Sequence, residues 1–329
     1  MESPDTKPNR FALFAWAVTA LTLAVILWGA YVRASRSGDG CGSHWPLCNG
    51  TVALPQASET KTLIELTHRV TSGLDGLLVL VLVVWAFRKF RPGHPVRKGA
   101  TLTAVFILIE SLIGAGLVRF GLVANNASVA RAFYLSIHLV NTFILVALMA
   151  LTAWWASVGD ASQPRLRDFL RGKIGAALLG ALALGVSGAV AALGATLFSE
   201  SAQAALVPED MSPSAQLMFS LRQYKLHPLL ALLVGGYLVY FAVAALKTLG
   251  DDVWVRRWAR AVVALVLVQT GVGLLNAAMF APVALQIIHL LLADLLWLAL
   301  VLLSACSLAR RDIRAEDFER VGLGATARI

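Results

Sequence analysis

Apolar residues gather in eight long stretches separated by short polar or basic segments, over approximately 11–33, 63–87, 99–121, 132–156, 174–198, 223–247, 260–281 and 283–309. Each runs to roughly 20 residues or more, enough at 1.5 Å per residue to cross about 30 Å of hydrocarbon. The pattern predicts an all-α membrane protein with eight transmembrane helices. Composition agrees: of 329 residues 58% are hydrophobic and only 14% charged, where soluble domains carry about a quarter charged residues. Mean hydropathy is +0.73.

A net charge of +9 would suit a nucleic-acid partner, but its distribution points to a lipid bilayer instead. With the N-terminus placed in the cytoplasm, Lys7 and Arg10, the 88–98 and 165–173 clusters, Lys247 with Arg256, Arg257 and Arg260, and the tail arginines all fall inside. These are 20 of the 28 basic residues, the positive-inside bias of a multi-pass cell (inner) membrane protein with both termini cytoplasmic. Residues 1–10 lack a cleavable signal pattern, so the first apolar run reads as a retained span.

Four of the six histidines lie near the starts of the even-numbered spans: His68, His138, His227 and His289. Each is about four to seven residues into its predicted helix, a common depth of roughly 6–10 Å below the outer boundary. One offset of about 155 residues superposes His68 on His227 and His138 on His289. Ile137-His138-Leu139 recurs as Ile288-His289-Leu290, and Glu110 through Gly114 faces Gln269 through Gly273. The expected architecture is two four-helix bundles, residues 1–160 and 161–329, joined near 157–173 and related by a pseudo-twofold axis along the membrane normal. Glycines inside the spans, among them Gly114, Gly116, Gly185, Gly188, Gly271 and Gly273, suit close helix packing or room for a flat macrocycle. The first outer segment, 34–62, carries Cys41, Trp45, Pro46 and Cys48; the second, 199–222, carries Glu200, Glu209 and Asp210.

Polar side chains inside spans are functional candidates by default. Two facing imidazole nitrogens about 4 Å apart can grip one metal ion with bonds near 2 Å, and facing helices of a four-helix bundle can supply that spacing. The second half offers no carboxylate or thiolate beside its histidines, which favours a bis-histidine b-type haem over zinc or di-iron. His44 and His94, in loops, read as solvated.

The halves differ in what surrounds their histidines. Glu65 precedes His68 by three positions, where the second half has Tyr224, and Arg69 follows where it has Pro228. A buried carboxylate beside a haem can move protons, and Arg69 is placed to pair with a haem propionate. A plain Glu65–Arg69 ion pair at i,i+4 is the alternative. Cys41 and Cys48, on the oxidising side, suit a structural disulfide worth roughly 2.5 kcal/mol or a reversible dithiol. Cys306 reads as packing.

The loop Cys41-Gly-Ser-His-Trp-Pro-Leu-Cys48 followed by Glu65-Leu-Thr-His68-Arg69, with histidines in spans 4, 6 and 8, resembles the haem A synthases of cytochrome oxidase assembly over all eight spans. The resemblance implies oxidation of the C8 methyl group of haem O to a formyl group by successive hydroxylations. It implies that His68 and His138 flank the substrate haem O, that Glu65 is the catalytic carboxylate, and that His227 and His289 ligate a resident haem b that relays electrons. Haem O synthase and cytochrome oxidase assembly factors are the implied partners, and a homo-oligomer is compatible with the chain. Two other readings compete: a di-haem b-type membrane cytochrome that only transfers electrons, and a parallel-repeat transporter, whose polar residues should cluster at the midplane.

Overall fold

The computed structural model describes residues 9–51, 59–158, 164–198, 212–217 and 226–326, with 311–326 described in backbone only. Among them are eight helices long and apolar enough to cross a membrane. They are α1 (Arg10–Ala34), α2 (Thr60–Lys89), α3 (Pro95–Arg119), α4 (Val129–Val158), α5 (Gly172–Leu197), α6 (Leu226–Leu249), α7 (Val253–Ala278) and α8 (Val283–Thr326). No strand occurs among the described residues, where pairing is limited to an isolated bridge between Cys48 and Thr51.

Polar caps set the starts of several helices. The Asn9 side chain accepts from Phe11 N–H at 3.2 Å and donates to the Ala156 carbonyl at 2.6 Å, which caps α1 and ties it to the end of α4. Asp252 accepts from the N–H groups of Trp254 and Val255 at 2.8 and 3.0 Å. That cap starts α7 at Val253, seven residues before the predicted 260. The first two turns, with Trp254, Arg256, Arg257 and Trp258, are too polar for an apolar-run reading to include.

His94 departs from the solvated reading. It is buried, its Nδ1 accepts from Val96 N–H at 3.2 Å, and its ring lies on Phe90 with centroids 4.6 Å apart. Ahead of Pro95 at the first helical position it acts as the N-cap of α3. His44 is exposed and Cys306 buried, as read. Lys7, Glu200, Glu209, Asp210 and Tyr224 lie outside the described residues.

Within the first half α1 packs on α2, α2 on α3, α3 on α4, and α4 closes back on α1. The second half repeats the cycle through α5, α6, α7 and α8. The halves meet where α4 touches α5 and α8, and where α8 touches α1. Trp297 on α8 marks this seam: its Nε1 donates to the Phe143 carbonyl at 2.7 Å and its ring stacks on Phe143 at 5.1 Å.

The main apolar core, with Phe11, Leu82, Val96, Trp155, Ile174, Phe241, Val262 and Leu300, draws on the beginnings of odd helices and the ends of even ones. It therefore fills the end of the bundle that carries most of the basic residues. The opposite end, where odd helices finish and even ones begin, holds the four histidines.

Candidate haem sites

Each histidine on an even helix is set against a glycine of the helix before it. A Cβ at Gly29 on α1 would stand 2.8 Å from His68 Cε1, at Gly188 on α5 3.1 Å from His227 Cε1, and at Gly273 on α7 2.9 Å from His289 Cε1. At Gly114 on α3 the distance to His138 Cε1 is 4.0 Å, an ordinary contact. Three imidazoles therefore occupy space that only a missing side chain leaves open. Gly29, Gly114 and Gly273 each lie five residues before the last residue of their helix. That register is steadier than the count from the even-helix starts, where His68 and His138 sit eight and nine residues in and His289 six.

In the second half the rings of His227 and His289 have centroids 6.3 Å apart and planes at 90°. Two imidazoles on opposite sides of one iron, each nitrogen about 2 Å from it, have centroids roughly 6–6.5 Å apart, so this spacing fits a shared metal. Ser187 Oγ donates to the Leu184 carbonyl at 2.8 Å and lies 2.9 Å from His227 Nδ1. With its proton committed, that hydroxyl accepts from Nδ1–H and leaves Nε2 bare for a metal. His289 Nδ1 is buried without a hydrogen-bond partner, and the amide nitrogen of Gln269 lies 3.5 Å from its Nε2.

In the first half His138 Nδ1 stands 3.2 Å from Glu110 Oε1, an ion-pair contact outside hydrogen-bond geometry. Glu110 is held in turn by Asn141 Nδ2 at 2.5 Å and by the Thr142 hydroxyl. A carboxylate on the far nitrogen of a ligating histidine fixes its tautomer and raises its basicity. His68 lies in the electrostatic range of both His138 and Glu110, and its own Nδ1 is buried without a hydrogen-bond partner. Glu110 was legible only as one letter of the internal repeat. An acidic residue inside an apolar span was signal enough to single it out, as it was for two other buried carboxylates. Asp75 accepts from Thr22, and Asp294 has no hydrogen-bond partner on either oxygen.

Glu65 and Arg69 both bind the outer loop, and Arg69 lies within electrostatic range of His68. Glu65 is buried; its Oε2 accepts from Cys41 N–H at 2.8 Å and its Oε1 from Arg69 Nε at 3.1 Å. Arg69 Nη1 reaches the carbonyls of His44 and Leu47 at 2.7 and 2.8 Å. Thr62 adds a bond to the Gly40 carbonyl at 2.7 Å. The i,i+4 ion pair is thus present, and it fastens the Cys41–Cys48 loop onto the first turns of α2. Cys41 and Cys48 are joined by a disulfide and both are buried.

The donor set suits iron porphyrin. Among the described residues no three His, Cys, Asp or Glu side chains gather as a metal ion held by protein alone would need. Paired imidazoles, orphaned ring nitrogens and glycine-lined approaches are what a flat macrocycle between two histidines asks of a bundle.

Comparison with known proteins agrees with this donor set. Residues 12–301 match the model of the COX15-CtaA family, described as cytochrome oxidase assembly protein. Over 312 residues the chain is 47% identical to proteins of two Thermus thermophilus strains named protoheme IX farnesyltransferase, covering 94% of this chain and 50% of each of those. It is 35% identical over 164 residues to the heme A synthase of an Exiguobacterium species, half of this chain and 53% of the relative. With the heme A synthase of Geobacillus kaustophilus it shares 38% over 138 residues, 42% of each. The matches thus span about half the length of these curated relatives. The chain belongs to the COX15-CtaA family of cytochrome oxidase assembly proteins.

Proposed function

We propose that this chain is a haem A synthase, which oxidises the C8 methyl group of haem O to a formyl group by successive hydroxylations. Family membership and the names of the Exiguobacterium and Geobacillus relatives support this reading. The observation that carries it is the set of imidazoles packed on preceding helices, with His227 and His289 at the spacing of two ligands to one iron.

In this reading residues 1–160 hold substrate haem O between His68 and His138, and residues 161–329 hold a resident haem b between His227 and His289. A pseudo-twofold relation between the halves is supported by the recurrence of Gly29, His68, Glu110 and Gly114, each 159 residues on, as Gly188, His227, Gln269 and Gly273. Bound haem supplies the redox chemistry. The chain's own part is to hold each porphyrin by two imidazoles, with Ser187 keeping His227 protonated at Nδ1 and Glu110 placed as the charge partner of His138. Glu65 is assigned as the catalytic carboxylate. The cell (inner) membrane with cytoplasmic termini is supported by the basic end of the bundle. The two Thermus relatives are named for protohaem farnesylation and this chain matches half their length, which supports haem O synthase as the neighbour that hands over the substrate.

The test is to express the chain with a source of haem O in cells lacking their own activity, then extract and identify the haems. Haem A should accumulate only when both are present. Haem O alone, with the purified chain carrying two permanently bound haems b, would establish the electron-transferring di-haem cytochrome instead. That second reading has one observation in its favour: by clamping the disulfide loop, Glu65 has a structural task without catalysis.

A further inference from the structure

We propose that Arg33, Arg36 and Arg131 form an oxyanion site at the seam between the two halves, and that its occupants are the propionate groups of bound haem. The inference rests on the haem reading above.

Arg131 is only 2% exposed, and its Nε is buried without a partner. Its other contacts are two backbone carbonyls, Ala124 at 2.7 Å and Asn126 at 2.9 Å. Arg33 reaches across the seam to Thr196 Oγ1 on α5 and Gln286 Oε1 on α8, both at 3.1 Å, and Arg36 donates to the Thr196 carbonyl at 2.5 Å. Arg131 is an electrostatic neighbour of both Arg33 and Arg36. Every acceptor given to these three guanidinium groups among the described residues is neutral. Three cations crowded together in partly buried surroundings repel one another unless anionic oxygens come between them.

Register identifies the anion. Arg33 lies four residues beyond Gly29, on the face of α1 that receives His68. Arg131 precedes His138 by seven residues on α4, Gln286 precedes His289 by three on α8, and Thr196 follows Gly188 by eight on α5. Each stands one or two helical turns, about 5–12 Å, from its histidine or glycine toward the same end of the bundle. The cluster is thus placed over both haem sites at once. The propionates are the charged edge of an otherwise apolar macrocycle, and planar guanidinium groups match carboxylates in bidentate geometry. Arg69, the residue first expected to meet a propionate, spends its donors on Glu65 and the loop carbonyls.

The chain, purified free of haem and placed in nanodiscs, should be titrated with iron protoporphyrin IX and with its dimethyl ester, which keeps the ring and iron but lacks both charges. The wild type should bind the ester at least about tenfold more weakly, the scale of losing one charge-assisted hydrogen bond. R33Q/R131Q should bind free haem as weakly as the ester while its affinity for the ester is unchanged, which also shows that the variant is folded. R33K/R131K, keeping the charge, should recover part of the difference. Equal binding of the two porphyrins by the wild type overturns the proposal. If that equality comes with loss of co-purifying anionic phospholipid from R33Q/R131Q, measured by mass spectrometry, the cluster serves lipid phosphate instead. If the wild type binds neither porphyrin, the haem reading falls and takes this site with it.

Discussion

Replacing Gly273 by alanine tests the haem geometry most directly, because the structure fixes both the size of the insult and an internal control. The added Cβ would stand 2.9 Å from His289 Cε1, whereas carbon atoms pack at about 3.5–4.0 Å. The imidazole must therefore retreat by roughly 0.6 Å or more, while a metal–nitrogen bond tolerates about 0.2 Å. Overpacking of this kind costs roughly 1–3 kcal/mol, which corresponds to a loss of about 5- to 150-fold in haem affinity. Gly114→Ala is the control, since its Cβ would meet His138 Cε1 at 4.0 Å and displace nothing. Haem content per polypeptide, low-spin absorbance and haem titration of the purified variants make the measurement. If G273A keeps the wild-type spectrum and affinity, or if G114A damages its own site as much, the glycine contacts do not position haem ligands and the argument fails.

Further outcomes follow from the same geometry. Glu65→Gln should abolish haem A production while the second-half haem stays bound; extracted haems and the visible spectrum report the two separately, and undiminished haem A would remove Glu65 from the chemistry. His227→Ala or His289→Ala should each eliminate the low-spin signal of the resident haem, whereas persistence of that signal in either would exclude the pair as its ligands. At the basic end, burial raises the pKa of Asp252, but the Val255 N–H, Arg310 and the Trp254 N–H together hold it below its ordinary value. A depressed carboxylate stabilises the fold above its unfolded pKa, near 3.9, and that contribution disappears as pH falls through the lower folded value. Asp252→Ala should therefore cost about 0.5–2 kcal/mol at neutral pH, as loss of a helix cap does, and narrow the gap from wild type on acidification; thermal melts at pH 7 and pH 3 measure both.

The eight spans were legible because run length and apolarity suffice when the solvent is lipid. The exception was the start of α7, where Arg256, Arg257 and the Asp252 cap disguise two helical turns. The four histidines were legible because an imidazole in hydrocarbon stands out in a sequence. Their glycine partners were not, since Gly29 looks like any small residue until α1 is laid against α2. Arg33 and Arg131 escaped for another reason: counted as charges near the outer surface, they explained orientation and asked for nothing more. Glu65 and Arg69 were legible as a pair on one helix face, whereas their bonds to the Cys41 N–H and to the carbonyls of His44 and Leu47 depend on how the disulfide loop folds back over α2.

The hook from Trp297 to the Phe143 carbonyl bears on how such a molecule is put together. Both pieces of a chain severed between α4 and α5 would still be greasy enough to insert separately into lipid. A directional N–H aimed at a single carbonyl, backed by a stacked ring, is the kind of cue that would let two fragments made from separate messages find their correct faces and dock in one orientation.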